Sequence, residues 1–232
     1  MVRRKSVETS RESFGRNGIS VSNVEIETYS VTLPGILAAP KDPLAFILFA
    51  HGSGSSRLSP RNSFVATALH DSGFGTLLFD LLTSREDEVY DNRFDIDLLA
   101  ERLEAATEWL HEQNGLADLK LGYFGASTGA AAALQASARR DDVRAIVSRG
   151  GRPDLAWDYL DRVTAPTLLI VGGSDDRAVI EFNERALRKL NLRSRSDNEL
   201  AIVPGATHLF EEPGALEEVA RMAAKWFLKF LG

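Results

Sequence analysis

The chain of 232 residues contains no cysteine at all. Disulfides, thiolate nucleophiles and cysteine-bound zinc are excluded together, so any covalent chemistry must run through another side chain. Histidine is scarce as well, with four in the chain, and so few can be sorted by elimination. No apolar run approaches the roughly 18 residues that would span a bilayer, so no membrane contact is expected. The stretch from Met1 to Ser20 is polar, without the apolar core of a secretory signal, and a cytoplasmic location is the expectation. An Arg- and Ser-rich transit peptide is the weaker alternative, opposed by Glu8 and Glu12. A net charge of −6 argues against a general nucleic-acid binder.

What is present is the composition of an ordinary globular protein, 44% hydrophobic and 26% charged. The length suits one domain, expected over 21–232 behind a flexible polar tail at 1–20. Val24 to Tyr29 alternates apolar and polar residues, and Val31 to Ala39 reads as its partner in an antiparallel edge hairpin. Leu44 to Ala50 is continuously apolar, as a strand covered on both faces is. From there the pattern alternates. Strands are expected near Gly75–Phe79, Leu119–Phe124, Val143–Val147, Thr167–Val171 and Glu199–Val203, with helices between them and Leu216 to Phe230 closing the chain. Strands alternating with helices imply an α/β fold, a parallel sheet with helices on both faces. Ligands collect at the carboxyl ends of such strands.

The residues just after those ends therefore carry the chemistry. Gly125-Ala126-Ser127-Thr128-Gly129 follows one strand and precedes an alanine-rich helix, which is the context the G-x-S-x-G pattern needs. Its serine stands on a sharp strand-to-helix turn, at a helix N-terminus that favours negative charge near an attacked carbonyl. Asp175 and Asp176 follow another strand and His208 follows the last, giving the order serine, acid, histidine. A serine hydroxyl is a weak nucleophile until a histidine takes its proton, and that histidine needs an acid to fix its tautomer. His70 and His111 fall in the last turns of expected helices, and His51 heads a glycine loop that it orients, which leaves His208 as the base. The acid stays divided between Asp175 and Asp176, with Asp154 a weaker candidate at a helix start. The backbone N–H of Thr128 and one from Ser53 or Gly54 are the candidate oxyanion donors.

Taken together, Phe49 to Arg57 (F-A-H-G-S-G-S-S-R), Ser59 to Asn62 (S-P-R-N), Phe124 to Gly129 (F-G-A-S-T-G), Leu168 to Asp175 (L-L-I-V-G-G-S-D) and Pro204 to Phe210 (P-G-A-T-H-L-F) resemble the α/β-hydrolase superfamily, and within it the dienelactone-hydrolase-like group. The resemblance covers the chain from about Leu44 onward. It implies an eight-stranded, mostly parallel sheet and hydrolysis of carboxylic esters, lactones or related acyl compounds, without a cofactor. Dienelactone hydrolases carry a cysteine nucleophile, whereas this chain offers Ser127, which suits a general esterase working through an acyl-enzyme.

No long insertion follows the Val143 strand, so no lid domain is expected and the pocket should be open, suited to a small-molecule acyl substrate. Arg57 and Arg149 also follow strands and are candidate substrate-binding residues for an anionic group. The acidic run Arg85 to Asp91 lacks the histidine and regular spacing of a metal site and reads as a solvated loop. Two other functions fit the same residues: an acyltransferase, in which an alcohol or thiol replaces water, and a binding module that kept the fold without the activity. The sequence carries no sign of oligomeric state.

Overall fold

The computed structural model describes residues 13–14, 18–113, 115–116, 118–193 and 197–232. The strands are β1 (Ser13–Phe14), β2 (Ser20–Glu27), β3 (Thr32–Ala39), β4 (Phe46–Ala50), β5 (Gly75–Phe79), β6 (Leu121–Ala126), β7 (Val143–Arg149), β8 (Thr167–Gly172) and β9 (Asn198–Val203). They form one sheet in the order β1-β2-β3-β5-β4-β6-β7-β8-β9. The helices are α1 (Pro60–Asp71), α2 (Ser84–Asp87), α3 (Ile96–His111), α4 (Thr128–Ser137), α5 (Arg177–Arg193) and α6 (Ala215–Leu231). Strands β4 to β9 pair in parallel, while β2 and β3 form the expected antiparallel edge hairpin. This is the eight-stranded, mostly parallel sheet of an α/β-hydrolase, extended by the two-residue β1, which pairs with Ser20 and Val21. The region expected as a flexible tail otherwise lies outside the described residues, apart from 18–20.

Parity along β4 explains how the sheet acquires two cores. Phe46, Leu48 and Ala50 point to the face covered by α3, α4 and α5, while Ala45, Ile47 and Phe49 point to the face covered by α1 and α6. Every residue of β4 is buried, as its unbroken apolar run requires. The small side chains of helix α4 let it pack tightly on the sheet, and Ala130 to Ala133 have no exposed surface. Ser59 caps α1 by accepting from the Asn62 N–H, with Pro60 in the first turn, where its missing N–H costs nothing.

After β7 the chain forms only the 3₁₀ segment Pro153–Arg162, broken at Ala156, and no lid domain intervenes. No helix among the described residues is long and apolar enough to cross a membrane. The consequence of the strand order is positional. Strand β6 is central, with the β4 and β5 loops on one side of its carboxyl end and the β7, β8 and β9 loops on the other.

Candidate active site

At the end of β6 the backbone turns sharply, and Ser127 sits at φ 51° and ψ −120°, a region non-glycine residues rarely occupy. Holding it there costs of the order of 1–3 kcal/mol, sustained by the surrounding structure. The Ser127 N–H donates to the Arg149 carbonyl, and the Ser127 carbonyl accepts from Ala130 and Arg152. The two motif glycines are needed because backbone passes where a side chain would stand. A Cβ on Gly129 would lie 2.2 Å from the Ala50 carbonyl oxygen, and one on Gly125 would lie 2.4 Å from the Ala130 Cα. Those contacts press α4, β4 and the turn together around the serine.

His208 comes from the loop after β9, 81 residues further along. Its Nε2 lies 3.4 Å from the Ser127 Oγ, at the loose end of hydrogen bonding. Its Nδ1 lies 2.9 Å from Oδ2 and 3.2 Å from Oδ1 of Asp175. The Asp175 side chain is 2% exposed. The loops carrying these two residues are tied to each other through Gly173 N–H to the Val203 carbonyl and Ser174 N–H to the Ala206 carbonyl. Thr207 donates twice to Glu212, and Phe210, buried at a positive φ, anchors the far side of the histidine turn. Asp176 is exposed, and its Oδ1 accepts from the Ala178 N–H at the start of α5 and not from His208. Asp154 is held by both ends of its carboxylate on the Arg152 guanidinium.

Ser127, Asp175 and His208 open into a cleft of about 420 Å³ that Arg152, Ser174, Asp176, Val179 and Thr207 complete. Neither arginine expected to bind substrate reaches it. Arg57 is engaged by Asp80, whose carboxylate accepts from both its backbone N–H and its guanidinium. Arg149 is 7% exposed and points to α1, where it donates to Asn62; burial, with Arg61 nearby, lowers its pKa to about 10. The arginine that does line the cleft is Arg152, three residues past Arg149 and just after Gly150-Gly151, a position within the sequence shortlist but not chosen from it. The acidic run after β5 is committed to local structure. Glu86 closes a capping box with Thr83 and binds Arg102, and Asp87 binds Arg93. Among the described residues no group of histidines and acids gathers as a metal site would require.

Across β6 from the cleft, the loop His51 to Gly54 faces the serine. A Cβ on Gly52 would lie 3.1 Å from the Ser127 Cβ, and Ser53, Gly54 and Thr128 border one narrow crevice. His51 fixes this loop: its Nε2 accepts from the Leu81 N–H and its Nδ1 donates to the Gly52 carbonyl, which defines a neutral ring. Burial holds its pKa below the ordinary 6.5, and burial does the same for His70, which bonds Thr76. A depressed histidine pKa means that the unfolded chain binds more protons at mildly acid pH. Stability from these two rings is therefore present above about pH 6.5 and is lost as pH falls through their folded values. Denaturant midpoints are expected to drop below pH 6.5, and to drop less in His51→Gln and His70→Gln; identical slopes in all three proteins would locate the acid sensitivity elsewhere.

A serine on a strained strand-to-helix turn, with an acid and a histidine from later strand ends of a mostly parallel sheet, defines the α/β-hydrolase class. The model of the dienelactone hydrolase family matches residues 34–231, and the chain belongs to that family. A crystal structure of dienelactone hydrolase from Anabaena variabilis ATCC 29413 superposes with a TM-score of 0.87 at 51% identity, covering 93% of this chain and all of that one. Est1E from Butyrivibrio proteoclasticus shares the fold with a TM-score of 0.75 at 16% identity, over 89% of this chain and 98% of its own. A relative from Mycobacterium tuberculosis (strain ATCC 25618 / H37Rv), bearing the name "putative phosphoribosyl transferase", is 54% identical over 209 residues. That match takes in 90% of this chain and 46% of the relative, so the chain spans about half the length of these curated relatives. Family and fold support hydrolase activity.

Proposed function

We propose that the protein is a serine hydrolase that cleaves small carboxylic esters or lactones through an acyl-enzyme. The observation that carries this reading is the hydrogen-bonded line from Asp175 through His208 to a serine held on a strained turn. In the first step His208 Nε2 takes the Ser127 proton as Oγ bonds to the substrate carbonyl carbon, and the oxyanion meets the N–H of Thr128 and of the Ser53–Gly54 loop. Asp175, acceptor at Nδ1, keeps the ring in the tautomer whose Nε2 is free to accept and stabilises the imidazolium that forms. The imidazolium then gives its proton to the leaving oxygen as the C–O bond breaks. Water repeats the sequence on the acyl-enzyme, releasing the acid and regenerating Ser127.

The transferase name belongs to a relative more than twice as long as the segment shared with this chain, and nothing in the Ser127 cleft favours carrying it over. A fluorophosphonate probe tests the proposal directly. The folded protein is expected to take one probe per chain on the peptide bearing Ser127, with competition by a p-nitrophenyl ester. A folded sample that takes none would sink the covalent mechanism.

A further inference from the structure

The turn after β7 touches both Ser127 and His208, and part of what fixes that turn lies outside the cleft. Residues 149–152 bracket the nucleophile: the Arg149 carbonyl accepts from the Ser127 N–H, and the Arg152 N–H donates to the Ser127 carbonyl. Between them Gly150, at φ 52°, lies against the histidine, where an added Cβ would stand 3.1 Å from the His208 carbonyl oxygen and 3.5 Å from its Nδ1. The Gly150 N–H is tied to the Ile170 carbonyl of β8. Gly151 is packed against α4, and a Cβ there would run into the Ser148 Oγ and the Ala130 Cβ.

The Gly151 carbonyl is held from α5. Asn183 is wholly buried, and its Nδ2 donates to the Gly151 carbonyl at 2.9 Å and to the Val179 carbonyl, one turn back on its own helix, at 2.8 Å. With two carbonyls to satisfy, the amide has to present its NH₂. Helix α5 starts at Arg177, two residues past Asp175, so this side chain ties the helix that follows the acid to the turn that brackets the serine and backs the histidine. Asn183 itself does not line the cleft.

Resting on the hydrolase reading above, we infer that Asn183 is a positioning residue for acylation: through the Gly151 carbonyl it holds the Ser127 Oγ and the His208 Nε2 in reach of each other. Those two atoms are already at the long end of hydrogen-bonding range, so a turn released from α5 carries them out of it. Proton transfer from Oγ to Nε2 then slows, because it depends on that alignment. Binding of a small ester does not, since no surface of Asn183 is exposed to substrate. Loss of the amide therefore separates chemistry from affinity.

The experiment compares two variants with the wild type. Asn183→Leu is close in shape and has no donor; Asn183→Ser keeps a hydroxyl that can serve the Val179 carbonyl, as serines in helices do, but is too short for Gly151. Competent sites are counted by taking fluorophosphonate labelling to completion on a parallel sample, and kcat is expressed per site. For p-nitrophenyl acetate both variants should lose roughly ten- to a hundredfold in kcat and in the rate constant of labelling, the scale of about an ångström of misplacement, with KM within about threefold of wild type. The acid limb of the kcat/KM profile should fall at the wild-type pH, because the contact of His208 with Asp175 is untouched. A variant whose Tm has dropped while kcat per site and labelling rate stay at wild-type values would make Asn183 a stabilising residue only and overturn the inference. A loss carried by KM alone, or a displaced acid limb, would overturn it too. Asn183→Ser is the smaller disturbance and decides the question should Asn183→Leu not fold. A folded wild type that takes no probe removes the hydrolase reading itself, which is a different result from a labelled wild type with unaffected variants.

Discussion

Ser127→Ala is expected to lower kcat for p-nitrophenyl acetate by roughly three or more orders of magnitude and to abolish fluorophosphonate labelling. The loss should fall on kcat, because the hydroxyl contributes little to ground-state binding and the missing step is bond formation. A residue of catalysis above the uncatalysed rate should survive, since oxyanion donors and binding contribute without the nucleophile. The fold should survive as well. Ser127 makes its structural bonds through its backbone, to Arg149, Ala130 and Arg152, and alanine keeps all of them. Because φ is 51° at this position, Ser127→Gly should be as inactive as Ser127→Ala yet more stable by about 1 kcal/mol, strain traded for function. Thermal denaturation of the three proteins reads that difference. A Ser127→Ala protein within tenfold of wild-type kcat would mean that another group attacks the ester.

Much of this arrangement could be read before any coordinates, and what could not has a physical cause. The strands were legible because β4, β6 and β8 are almost wholly apolar, as their unbroken burial requires, and the order of their ends brought Ser127 and His208 together by elimination among four histidines. Asp175 and Asp176 could not be separated that way. They are adjacent, and what divides them is how the loop after β8 is tied to the loop after β9, through bonds such as Ser174 N–H to the Ala206 carbonyl. The arginines failed for two different reasons. Arg57 meets Asp80 across 23 residues, a pairing no local pattern announces. Arg149 is the last residue of β7, and alternation along the strand sends its side chain to α1, while Ser148 before it faces Gly151 and Ala130 of α4. Only Arg152, beyond the strand, is released from that alternation and reaches the cleft. The crevice was likewise invisible, because its walls come from the loop after β5, the first turn of α3 and the start of α4.

The sharpest expected contrast lies between neighbours. Asp175→Asn should lower kcat by roughly four orders of magnitude, the loss that the same exchange causes in a serine-protease triad, whereas Asp176→Asn should stay within about threefold of wild type. The Asp175 carboxylate is nearly enclosed and approaches His208 Nδ1 with both oxygens. An amide there removes the charge that stabilises the imidazolium, and it can turn its NH₂ toward Nδ1, which favours the tautomer that blocks Nε2 from accepting the serine proton. The Asp176 carboxylate bonds toward the start of α5, where its Oδ1 accepts from Ala178, and asparagine caps a helix start about as well as aspartate does; the backbone N–H of residue 176, which donates to Asp175 Oδ1, is kept in the variant. Both substitutions preserve volume, so a loss of folding would be a poor explanation of a difference between them. Stopped-flow kinetics on p-nitrophenyl acetate should show the Asp175→Asn defect already in the acylation burst, because His208 must act as base before the acyl-enzyme exists. Equal losses in the two variants, or a larger loss in Asp176→Asn, would transfer the acid's role to the second aspartate and require the β8 loop to rearrange when substrate binds.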